Sequence, residues 1–197
     1  MINLFKRQIY LNESWIKPRT LINLRWLAIV GQAVAIAVTE FILNFTFNVE
    51  ACFIIIFFSC VINLTSSGYF RKEKRLSALK TFFFLTFDLT QISLLLFFSG
   101  GISNPFSILI IVPTIVSASS LPIIYLIILG VMTLLSVMFL SIKYFPIIDS
   151  SGEILKSPEI LLFGFSVSLI ITVTFLGSYV RKIFLDNTNM NRALQAT

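Results

Sequence analysis

Gly100-Gly101-Ile102-Ser103-Asn104-Pro105-Phe106 is a short polar turn set between two very hydrophobic runs, and its placement decides how the chain divides. Glycine has no Cβ, so Gly100 and Gly101 can end the preceding helix in left-handed or extended conformations and leave backbone N–H groups open to a ligand. Pro105 fixes its own φ and drives Asn104 out of the α region, which holds the Asn104 amide in a set direction. Phe106 opens the next apolar run. A donor and an acceptor therefore stand beside a flat aromatic surface, at the depth where a membrane helix meets water. Two readings fit. Gly, Asn and Pro are common turn residues for conformational reasons alone, so the stretch reads as a tight turn between two membrane helices. It also reads as a site for a planar, lipid-soluble ligand such as a quinone, whose carbonyls take hydrogen bonds and whose ring takes an aromatic face.

Composition supports the membrane setting. The 197 residues are 57% apolar and 12% charged, with mean hydropathy +0.94, whereas a soluble domain is about half apolar and about a quarter charged. Phe occurs 21 times. The net charge of +6 sits between the apolar runs, where it reports topology and contact with anionic lipid and not nucleic acid. There is no His, so neither a His-based metal site nor a Ser-His-Asp triad can be built, and no phosphate-cradling glycine loop occurs. Cys52 and Cys60 share one apolar run; about 12 Å of helical rise separates them, too far for a disulfide. Both are expected to be small packing residues. The first apolar run begins at Leu21, after a mixed polar segment, and is long enough to span, so no cleavable signal peptide is expected.

From the turn outward, the apolar runs give an all-α integral membrane bundle of six transmembrane helices. They are expected at about 24–43, 49–66, 82–99, 107–121, 122–142 and 159–180. A cytoplasmic or interfacial segment, 1–23, precedes this sensor-sized domain, 24–180, and the start of a cytoplasmic helix, 181–197, follows it. The fourth run is short and contains Pro113, so on length alone it could be re-entrant. Parity favours a crossing, because Lys6, Arg7, Lys17 and Arg19 at one terminus, Arg71-Lys72-Glu73-Lys74-Arg75 between the second and third runs, and Arg181-Lys182 after the last all belong on the cytoplasmic side. Thirteen of the fifteen Lys and Arg, Arg25 among them, then lie on that side and only Lys143 and Lys156 on the other. Both termini are thereby expected to be cytoplasmic.

Three polar groups fall inside the runs. Asp88 and Gln91, at i and i+3, share one face of the third helix, and Gln32 must face protein or water in the first. Asp88 is about 18 Å of helical rise from Gly100, so it cannot touch a ligand held at the turn. It is expected either to anchor helix packing or to belong to a proton-linked relay. Ala28, Gly31 and Ala35 are expected to let a neighbouring helix approach closely.

Gly100 to Phe106 resembles the GGxxNPF motif of the RegB/PrrB/ActS group of redox-responsive sensor histidine kinases. Ser14 to Leu21 and Leu24 to Gln32 are similar to that family's entry into its first membrane helix, Phe87-Asp88-Leu89-x-Gln91 to its third, and Arg192 to Thr197 to the run before its phosphoacceptor region. The resemblance implies a membrane sensor region of a two-component system in the bacterial inner membrane, sensing ubiquinone or a related quinone. Gly100, Gly101, Asn104, Pro105 and Phe106 would form the ligand site. It also implies a homodimer, surrounding lipid, a cytoplasmic kinase module and a response regulator. The chain departs from the family in lacking a phosphoacceptor His, the redox-active Cys and an ATP-binding domain, so no kinase activity is expected from it alone. The contrasting expectations are a small transporter or channel component using Asp88 and Gln91, and a passive scaffold for quinone-dependent enzymes.

Overall fold

A computed structural model describes residues 17–70, 75–148, 152–154 and 158–195. The lead-in residues 1–16, the basic run Arg71 to Lys74, Asp149 and Lys156 lie outside the described residues. Among the described residues the regular structure is helical: α1 (Pro18–Phe41), α2 (Val49–Tyr69), α3 (Ala78–Phe98), 3-10 turns at Gly101–Ser103 and Pro105–Ile111, α4 (Val112–Ser120), α5 (Ile123–Ile142) and α6 (Glu159–Gln195). Five of these helices, all but α4, are long and apolar enough to cross a membrane.

Local chemistry sets the ends. α1 starts six residues before the expected 24 because Pro18 occupies its first turn, where a missing N–H costs nothing and φ is already helical. α2 is capped by the Asn48 side chain, which accepts from Ala51 N at 3.3 Å, with Glu50 at the positive end of the helix dipole. Ser77 caps α3 in the same way through Lys80 N. α6 runs unbroken through the expected boundary at 180 as far as Gln195.

Two apolar cores hold the bundle. Ile29, Ile36, Cys52, Ile56 and Leu95 join α1, α2 and α3. Leu85, Leu89, Ile110, Leu129, Val137, Leu140, Leu169 and Val173 join α3 to α6 through the fourth segment. The outward faces are equally apolar, with Phe57, Phe163 and Phe175 all exposed, as expected where the surroundings are lipid. The small-residue face of α1 is a correction. Ala28 and Gly31 point outward, and nothing lies within 4 Å of a Cβ built at Gly31. Ile22, Arg25, Ile29 and Ile36 face inward instead, because Arg25 must be partnered and takes its side of the helix with it.

One end of the bundle gathers the turns. Thr46 and Ile148 exchange backbone hydrogen bonds of 2.7 and 2.8 Å, while Phe145 N donates to Phe97 O at 2.8 Å and Gly100 N to Phe145 O at 3.1 Å. α3 and α5 therefore both finish here, and residues 104–121 run from this end to the opposite one. The fourth run departs from the plain helix expected over 107–121. In a continuous α-helix the Pro113 ring would meet the Leu109 carbonyl. The chain avoids this by winding Pro105–Ile111 as 3-10 helix, with Val112 N donating to Leu109 O, before α4 begins. The greater 3-10 rise gives these residues a reach of about 28 Å, against about 24 Å for the same number in α form.

Candidate functional site

Gly100 and Gly101 have φ of 96° and 60°, a left-handed pair that follows the last turn of α3. A Cβ at Gly100 would stand 2.8 Å from Ile147 Cδ1, and one at Gly101 2.7 Å from Tyr144 Cβ and 2.8 Å from the Leu140 carbonyl. The space beside the glycines is thus taken up by the chain's own segment 140–147, and the Gly100 N–H, expected to be open to a ligand, instead donates to the Phe145 carbonyl because α5 ends against this turn. Asn104 is held on three sides: Nδ2 donates to Ser99 O and Ser99 Oγ, each at 2.8 Å, and Oδ1 accepts from Phe106 N at 2.8 Å. Its amide caps the 3-10 helix that Pro105 opens. Pro105 is exposed and the Phe106 ring is 48% exposed. In the same turn Ser103 Oγ is buried without a hydrogen-bond partner. Next to the turn Phe98 stacks on Phe145 at 5.3 Å and Phe97 on Phe139 at 5.8 Å.

The intramembrane polar residues form a separate seam between α1, α2 and α3. Arg25 Nε donates to Asp88 Oδ1 at 2.7 Å and Nη2 to the Phe84 carbonyl at 3.1 Å. The guanidinium lies 4.7 Å from the Phe84 ring centroid and 5.2 Å from that of Phe87, a cation–π setting on one side of the ion pair. One turn further along α3, Gln91 Nε2 donates to Gln32 Oε1 at 2.8 Å and Gln91 Oε1 accepts from Ser59 Oγ at 2.9 Å. Asn63 Nδ2 donates to the Ile22 carbonyl at 3.2 Å. The polar side chains of Asp88 and Gln91 are therefore spent on neighbouring helices. Among the described residues no group of three His, Cys, Asp or Glu could hold a metal.

Two proteins named sensor histidine kinase RegB, one from Cereibacter sphaeroides and one from a named strain of that species, are 36% and 37% identical to the chain over 184 residues, 93% of its length. The chain belongs to the RegB/PrrB family sensor region. It spans 40% of the length of each of these relatives. No protein-family model and no solved structure matches it.

In this RegB-family chain the fold keeps the two groups of expected residues apart, as helical rise demands. Gly100, Gly101, Asn104, Pro105 and Phe106 build one turn. Asp88, Gln91 and Gln32 belong to the seam. Sequence reasoning placed Arg25 among the flanking cytoplasmic charges, whereas it is 5% exposed inside α1. The available signal was Pro18 as a helix start, which carries Arg25 seven positions into the helix and puts it on Gln32's face, two turns below. Ser59 and Asn63 carried no such signal, because each looks like an ordinary small or polar residue until its partner helix is known. Tyr144 and Ser103 were missed for the same reason.

Proposed function

We propose that the chain is the membrane sensor region of a two-component sensor histidine kinase, passing the redox state of the quinone pool to a cytoplasmic kinase module and its response regulator. The likeness to the RegB proteins supports the signalling class. What carries the ligand reading is the buried, partnerless Ser103 hydroxyl beside the Asn104 amide and the half-exposed Phe106 ring. A quinone carbonyl can only accept a hydrogen bond, and a quinol hydroxyl can also donate one. Ser103 Oγ can do either. Asn104 Nδ2 can exchange its bond to Ser99 for one to a ligand oxygen. The two redox forms would then favour different arrangements of the turn, which is what a switch requires. A transporter reading needs Asp88 and Gln91 free to line a path, and both are engaged with α1.

Six crossings, with both termini in the cytoplasm of a bacterial inner-membrane protein, fit this role. The shared turn end of α3 and α5 and the bias of basic residues toward the other side support that arrangement. The test is binding of decylubiquinone to the purified chain in nanodiscs, followed by quantifying the quinone retained by the protein. Saturable binding that weakens at least about tenfold in Ser103→Ala and Asn104→Ala, each a loss of one or two buried hydrogen bonds, supports the site. Equal binding in all three folded proteins removes it.

A further inference from the structure

Residues 104–121 are a single piece of backbone with one end in the motif turn and the other on α6. At the turn, Asn104 Oδ1 accepts from Phe106 N at 2.8 Å and the Asn104 carbonyl from Ser107 N at 2.9 Å, so this one residue sets the start of the 3-10 helix. At the far end the Leu121 carbonyl, just past the last turn of α4, accepts from Arg181 Nη1 at 2.6 Å. Arg181 lies on α6, which continues to Gln195. Between these points α4 packs along α6, and Thr114 shares a 2.7 Å hydroxyl contact with Thr133 of α5.

The first half of this piece is built to change. 3-10 turns are common at the N-terminus of an α-helix, where this one lies, but a run of seven residues is longer than the three or four that usually persist. Pro113 explains why it is held. The α form would put the proline ring against the Leu109 carbonyl, while the 3-10 form eclipses side chains and strains its hydrogen bonds. Neither geometry is ideal. Each residue that passes from 3-10 to α shortens the piece by about 0.5 Å and turns it by about 20°.

We propose that residues 104–121 are a transmission rod, in which a partial 3-10 to α conversion within Pro105–Ile111 shifts and turns α4 and, through the Leu121–Arg181 bond, moves α6. Conversion of one turn gives about 60° of rotation and about 1.5 Å of travel, the latter the size of helix shift seen at signalling interfaces. Control of the rod by a quinone at Asn104 rests on the sensor reading above; the rod itself does not.

The experiment places a trifluoromethyl reporter on a cysteine at Ser119, on α4, or at Lys182, beside Arg181. The full chain carries Cys52→Ala and Cys60→Ala and is studied in nanodiscs by fluorine NMR, with circular dichroism to confirm folding. Removing the proline by Pro113→Ala should raise the minor state's share at both reporters at least about threefold. Adding Arg181→Leu, which has no donor for the Leu121 carbonyl, should abolish the response at Lys182 and leave that at Ser119. Unchanged spectra at Ser119 in folded Pro113→Ala protein overturn the rod, and a Lys182 response that survives Arg181→Leu overturns its coupling to α6 through that bond. Decylubiquinone separates the two proposals. If it binds saturably without moving the Ser119 signal, ligand control of the rod is overturned while quinone binding stands. If it does not bind while Pro113→Ala moves both reporters, the rod stands and the quinone reading falls.

Discussion

Arg25 on α1 and Asp88 on α3 meet at 2.7 Å between Nε and Oδ1, and the guanidinium is also clamped by the Phe84 carbonyl and the Phe84 and Phe87 rings. The pair fixes how the first helix docks on the third. The Arg25 side chain is buried while that of Asp88 is partly exposed, so removing Asp88 leaves a buried charge without compensation, removing Arg25 leaves one that water can reach, and replacing both with apolar groups of similar volume removes the desolvation cost as well. Asp88→Leu alone should destabilise the bundle by about 3–5 kcal/mol, Arg25→Leu alone by less, and Arg25→Met with Asp88→Leu should recover most of the Asp88→Leu loss. Unfolding of the detergent-solubilised chain by denaturant, followed by circular dichroism, reads the difference. Additive losses in the double variant would show that the pair does not couple the helices.

Gly101 and Gly31 should respond in opposite directions to the same substitution. Gly101→Ala forces a side chain into a left-handed φ and against the Leu140 carbonyl at 2.8 Å, a backbone atom that cannot swing away. A loss of about 1–3 kcal/mol is expected. Gly31→Ala meets nothing within 4 Å and lies in the middle of α1, so it should gain about 0.5–1 kcal/mol through lower helix-forming entropy cost. Thermal unfolding of the two variants in the same detergent checks both signs.

The Gln32–Gln91–Ser59 chain predicts graded losses. Hydrogen bonds between membrane helices average about 0.6 kcal/mol, because the separated helices also find partners. Gln91 makes two such bonds and Ser59 one, so Gln91→Leu should cost roughly twice as much as Ser59→Ala, about 1.2 against about 0.6 kcal/mol. Equal costs in the same unfolding assay would place Gln91's contribution in packing, not in its two bonds.

The order of helices was legible in the sequence because apolar runs in a membrane chain are long and interrupted only by turn residues and charge. Gly100 marks an end by a rule that acts within one turn of chain; Pro18 and Ser77 carry start signals of the same kind, but the apolar runs placed those starts at 24 and 82 and so late by six and four residues. What the sequence concealed depends on partners far along the chain. Arg25 is a flanking charge by position and an internal one by its contact with Asp88. The Ala28–Gly31 face looks like a packing surface until Arg25 rotates it outward. At the turn, Gly100 and Gly101 were legible as a helix end in left-handed conformation. That Tyr144 and Ile147 take up the space beside them follows from where α5 ends, which no local pattern records.

The fourth segment yields the last prediction. If residues 104–121 doubled back without crossing, α5 would run in the opposite sense, and the loop containing Gly152 would lie across the membrane from the loop after α1. The backbone bonds Phe145–Phe97 and Thr46–Ile148 instead put both loops at one end. In cells expressing the chain with Cys52→Ala and Cys60→Ala, a cysteine at Leu43 and one at Gly152 should both react with a membrane-impermeant maleimide added outside. A cysteine at Arg75 should react only after the cells are opened, since basic loops are retained in the cytoplasm. Labelling of Leu43→Cys without Gly152→Cys would reduce the crossings to an odd number. The α6 extension would then lie outside the cell, away from any kinase module, and the sensor reading would fall with it.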